Sequence, residues 1–106
     1  MMMRPVIALT MVALFGIVPA FAQDGGDIGH GREIARTICA ACHIVAKGQL
    51  ALPNSAAPPF PVLAATPGMT SIALSAALLM SHRLMPNIIL QADERRDVIA
   101  YILSLK

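Results

Sequence analysis

The sequence predicts an all-α fold of three to four helices wrapped around one bound group. Three observations lead there. Apolar residues recur at helical spacing around residues 29–40 and again at 92–105, and no stretch alternates like a half-buried strand. A proline-rich segment of mixed apolar character lies between the helical stretches. The apolar inventory is also thin for a self-supporting domain. The chain has 106 residues, with three Phe, one Tyr and no Trp, and domains this small need a disulfide, a metal or a large bound group as a staple.

Hydrophobic residues make up 57% of the chain, but much of that excess is at the start. Arg4 precedes an apolar run from Val6 to Val18, followed by Pro19 and Ala20-Phe21-Ala22. A basic start, a short apolar stretch and a small-x-small site are the pattern of a secretory signal peptide. The run is short for a membrane span, which needs about 20 residues. Cleavage after Ala22 is expected, so residues 1–22 are read as the signal peptide and 23–106 as one domain, exported to the periplasm. No cysteine lies near the cut, so no lipid anchor is expected there. Residues 23–106 carry seven Lys or Arg against six Asp or Glu. That balance offers no basic patch for nucleic acid.

Residues 23–29 are a polar, glycine-rich lead-in. The first helix is expected from about Gly29 to Ala40, with Gly31, Ile34, Ala35 and Ile38 on one side and Asp27 as its N-cap or first-turn acid. Residues 44–68 hold Pro53, Pro58, Pro59, Pro61 and Pro67, so no helix is expected there. Apolar residues between those prolines suggest a loop packed on an apolar object. A second helix is expected from Met69 or Thr70 to Met80, with Thr66-Pro67 or Thr70 as its start. Residues 81–90 form a loop broken at Pro86. The last helix is expected from Ala92 to Leu105, with acids at its start and Lys106 at its end, as the helix dipole favours. Val98, Tyr101, Ile102 and Leu105 form its buried stripe. No internal repeat is present.

Both cysteines of the chain fall in Cys39-Ala40-Ala41-Cys42-His43. This C-x-x-C-H spacing is the attachment signature of a c-type haem. Two thiols must reach the two vinyl groups on neighbouring edges of one porphyrin, and the next residue must place an imidazole under the iron. A tight turn after a helix meets both demands, with His43 as the proximal ligand. A structural disulfide, a thioredoxin-like redox pair and half of a zinc site are the other readings of such a pair. A thioredoxin-like pair belongs at a helix start after a strand, and here the motif follows a helix. A zinc site lacks a second Cys or His pair.

Around this motif the chain resembles the class I c-type cytochromes, from about Gly29 to Leu105. In that family a methionine, often followed by proline, precedes the C-terminal helix, and Met85-Pro86 stands there. The resemblance implies that Met85 is the sixth ligand, a soft thioether that favours ferrous iron. His82, in the same loop, is its rival; Met80 and Met69 lie at the second helix, where packing is the simpler role. His30 reads as a surface residue. Gly31, eight residues before Cys39, matches the family's glycine on the first helix, and Tyr101 matches its aromatic on the last. There the two helices cross closely, which only a glycine permits. Pro58-Pro59-Phe60 resembles the family's proline-bearing loop, in which a proline carbonyl accepts the proximal histidine's ring N–H; which proline does so here stays open. Ala35 stands where the family often has an aromatic. The tryptophan that often meets a haem propionate is missing, leaving Arg83 or His82 for that contact.

The resemblance thus implies a cytochrome c fold around one covalent haem c with His43 and Met85 on the iron. It implies a single-electron carrier, not an enzyme. Its partners would be redox proteins: a periplasmic dehydrogenase, an oxidase or a membrane quinol-oxidising complex. Three alternatives remain at this point: a dedicated cytochrome subunit of one periplasmic dehydrogenase, a haem protein with an open sixth site, and a thiol-disulfide oxidoreductase using Cys39 and Cys42.

Overall fold

The computed structural model describes residue 16 and residues 25–50, 56–82 and 84–106. The expected signal peptide, apart from residue 16, and the suggested propionate partner Arg83 therefore lie outside the described residues. Among the described residues there are four α-helices and no strand: α1 (Ile28–Thr37), α2 (Phe60–Ala65), α3 (Ser71–Leu79) and α4 (Ala92–Leu103). This is the all-α architecture that the spacing predicts. No helix among these residues is long and apolar enough to cross a membrane.

Each helix starts where local chemistry allows. The Asp27 carboxylate caps α1 by accepting the His30 N–H at 3.0 Å, satisfying a donor that has no partner within the helix. Thr70, rather than Thr66-Pro67, caps α3 through a 3.1 Å bond from Ala73 N–H. Gln91 and Glu94 cap α4 reciprocally, the Glu94 carboxylate accepting the Gln91 N–H at 2.9 Å.

Two boundaries differ from the sequence reading. The first helix ends at Thr37, and Cys39–Ala41 form a separate 3₁₀ turn. As a result Ile38 falls off the buried face and is 37% exposed. The proline-rich segment also contains a helix, contrary to expectation. Pro61 is the second residue of α2, where the backbone has no helical N–H bond to lose and the ring's fixed φ suits the first turn.

The core lies where α4 meets the other helices. Ile34 and Ala35 of α1, Val45, Phe60 and Ala64 of α2, Leu74 of α3, and Val98, Ile99, Tyr101 and Ile102 of α4 are buried together. Of the predicted α4 stripe, Leu105 is only partly buried, just beyond the helix. The closest approach is α1 on α4. A Cβ placed on Gly31 would lie 2.0 Å from the Asp97 carbonyl oxygen and 3.0 Å from Tyr101 Cβ. The expected pairing of Gly31 with the aromatic on the last helix is therefore a backbone-to-backbone contact that no side chain fits. Arg32 adds its guanidinium over the Tyr101 ring, 5.8 Å from the centroid.

Candidate functional site

The turn after α1 is wound around one carbonyl. The Cys39 C=O accepts the Cys42 N–H at 3.2 Å and the His43 N–H at 2.9 Å. These bonds gather Cys39, Cys42 and His43 on a single turn. Cys39 is partly buried, whereas Cys42 is exposed. Burial pushes the Cys39 thiol above its ordinary pKa, because a low-dielectric surrounding disfavours the thiolate.

His43 points inward, with 9% of its surface exposed. Its ring packs tilted against Phe60, with centroids 5.2 Å apart. Its Nδ1 lies 2.7 Å from the Pro58 carbonyl oxygen. A carbonyl can only accept, so Nδ1 carries the proton and donates. The proton on Nδ1 leaves Nε2 with a lone pair, the atom that a metal takes. The open question of which proline holds the histidine is thereby answered: it is Pro58.

The backbone around His43 is fixed as firmly as the ring. The Ile44 carbonyl accepts the Phe60 N–H at 2.8 Å, so the motif turn and the start of α2 are tied at two points. One residue on, Val45 is buried. Its N–H donates to the Gln49 side-chain oxygen at 3.0 Å, and its carbonyl accepts the Tyr101 hydroxyl. Sequence reasoning found Tyr101 only as a packing ring and missed Gln49. The one available signal for Gln49 was Gly48 beside it, a turn residue that here adopts φ 73°.

Met85 is placed elsewhere, on the loop between α3 and α4. It is half-buried, and its N–H donates to the His82 carbonyl at 3.0 Å, closing a tight turn with an isolated bridge between the two residues. His82 is exposed, and its ring nitrogen Nδ1 donates to the Met80 carbonyl at 3.1 Å. Met80 is exposed and Met69 is partly buried against the core. His30 lies at the surface, as the sequence suggested, and also holds a partner. Its Nδ1 lies 2.6 Å from the Asp97 carboxylate, across the α1–α4 crossing.

A donor set of this kind fits a haem. It offers two thiols on one turn, a buried imidazole of fixed tautomer beside them, and a thioether on a separate loop. No protein-family model matches the chain, and no solved structure matches it. The chain is similar to cytochrome c-552 of Bradyrhizobium diazoefficiens, at 41% identity over 80 residues that cover 76% of each protein. With that identity over most of both chains, the chain belongs to the class I c-type cytochromes, electron carriers that hold haem c covalently.

Proposed function

We propose that this cytochrome carries its haem on Cys39 and Cys42 and ligates the iron with His43 and Met85. The observation that carries the reading is the His43 ring: buried, oriented by Pro58, and one residue beyond a thiol pair on the same turn. When bound, the haem supplies a metal centre that accepts and gives one electron. The chain's own residues hold and tune it. Cys39 and Cys42 would anchor the porphyrin edge. His43 would give its Nε2 lone pair while the Pro58 carbonyl fixes the ring's orientation and raises its basicity. The Met85 thioether would close the opposite side and favour the reduced state. Two protein ligands leave no open position, which suits transfer at the haem edge rather than chemistry on a substrate.

Support for Met85 over His82 comes from the loop geometry. Met85 is half-buried, whereas His82 is exposed and has one ring nitrogen occupied by the Met80 carbonyl. The thiol-disulfide alternative finds no support. A redox-active cysteine needs a lowered pKa at a helix N-terminus or beside a cation. Cys39 instead follows a helix, and burial raises its pKa.

Residues 1–22 are read as a cleaved export signal, placing the carrier in the periplasm. Its partners are redox proteins: a dehydrogenase, an oxidase or a quinol-oxidising complex. The ligand assignment is tested by spectra of the oxidised, haem-loaded protein. Wild type should show the red sulfur-to-iron charge-transfer band, and Met85→Ala should lose it. Persistence of the band in Met85→Ala would move the ligand to Met80 or Met69. Its absence from wild type would favour His82 or an open site.

A further inference from the structure

His43 is followed by two residues held through three of their backbone groups by partners from outside the turn. The Ile44 carbonyl is held by the Phe60 N–H, the Val45 N–H by Gln49, and the Val45 carbonyl by Tyr101. The Val45 contacts are made by side chains that reach in from different places. Gln49 folds back over a turn that Gly48 closes with its left-handed backbone. Tyr101 comes from α4, 56 residues away in sequence, and is itself 3% exposed, wedged at the α1–α4 crossing. A generic packing ring needs no such partner. Phenylalanine would fill the same space, so the hydroxyl bond is a separate feature of this chain.

We infer that Tyr101 and Gln49 are positioning residues for the haem's proximal ligand. They pin Val45, and so set how closely the His43 ring N–H meets the Pro58 carbonyl. The inference rests on the reading of His43 as that ligand. Its physical content is a lever. The Nδ1–H···O=C bond pushes electron density onto the imidazole, which stabilises the oxidised iron. Freeing Val45 lets residues 43–45 drift from Pro58, weakens that bond, and favours the reduced state. The link gives α4 a direct influence on the haem, although none of its residues is proposed as an iron ligand.

The test uses the haem-loaded protein with Tyr101→Phe and Gln49→Met, which keep the bulk of each side chain and delete only the polar group. Thr70→Ala serves as a control, since it destabilises α3 by removing its cap and touches nothing near His43. Both positioning variants are expected to raise the reduction potential and to move the hyperfine-shifted His43 ring signals of the oxidised protein. Gln49→Met should also speed exchange of the Val45 amide about tenfold, the effect of losing one hydrogen bond. Thr70→Ala should lower stability and leave the potential and the His43 signals where they were. The inference is overturned if Tyr101→Phe and Gln49→Met lower stability but leave both readouts unmoved, for then they only pack. Failure of the underlying reading looks different: His43 ring protons without hyperfine shift in wild type would remove His43 from the iron. Gln49 lies on an exposed turn, so its variant still decides the matter if Tyr101→Phe folds poorly.

Discussion

At Gly31, two opposing effects on one residue can be ranked. Replacing a helical glycine by alanine is ordinarily favourable by about 1 kcal/mol, because glycine's flexible backbone loses more entropy on folding than alanine's. Here the new Cβ would sit 2.0 Å from the Asp97 carbonyl oxygen and 2.5 Å from its carbon. Those are backbone atoms of a packed helix and cannot swing aside. Relieving the overlap means moving α1 off α4, and overpacking of this kind costs about 1–3 kcal/mol or more. Gly31→Ala should therefore lower stability by about 2 kcal/mol in a denaturant titration. A stabilised variant would show that the helices separate freely. Tyr101 shows how far single residues were legible. Its ring and its glycine partner could be placed from sequence spacing, because close helix packing depends on side-chain size. Its hydroxyl bond could not, because the acceptor is a backbone carbonyl and every residue has one. Pro58 was hidden for the same reason.

Between elements, the polar contact of the α1–α4 crossing is a clamp built on Asp97. One carboxylate oxygen accepts the Asp27 N–H at 2.7 Å, and the other meets His30 Nδ1 at 2.6 Å. The bond to Asp97 raises the His30 pKa above its ordinary 6.5; partial burial opposes this, and the charges of Asp97, Asp27 and Glu94 add to it. The bond from His30 lowers Asp97 below its ordinary 3.8, helped by the Asp27 N–H, opposed by burial, and helped again by the His30 and Arg96 charges. A raised histidine contributes stability that is fully present below pH 6.5 and fades as pH rises through its folded value. A lowered aspartate contributes stability present above pH 3.8 and lost as pH falls through its folded value. The clamp is thus strongest between about pH 4 and 6.5. It weakens toward pH 8 without vanishing, since neutral His30 can still donate from Nδ1. The difference in urea midpoint between wild type and His30→Gln should be larger at pH 5.5 than at pH 8. An equal difference at both would mean that the pair contributes no charge-dependent stability.

The helices themselves were unevenly legible. α1, α3 and α4 follow from periodicity and caps, signals carried by side chains. α2 was missed because prolines mask a helix that begins on one: Pro61 forbids a helix through it but not one starting around it.

For the whole molecule, the core is small and its covering is incomplete. Ten apolar residues are buried among those described, while Ile72, Leu84 and Ile89 are each more than 80% exposed. Such a core agrees with the sequence-level expectation that a large bound group completes the fold. A double variant, Cys39→Ala with Cys42→Ala, should prevent attachment and lower the thermal midpoint by roughly 20 °C or more, with loss of a sharp transition. Circular dichroism melts would measure this, and a sharp transition close to that of wild type would show that the polypeptide is stable alone.

The α1–α4 clamp joins residues far apart in the chain, with Asp27 bonded to Asp97 across 70 positions. Such a contact cannot form until the later helix has been made. During synthesis, α1 lacks its partner helix until α4 has been made, and the segment that follows it lacks the Tyr101 tether. The order of events then becomes part of the design: the turn that carries the thiols is made well before the helix whose Tyr101 tethers the chain just beyond it.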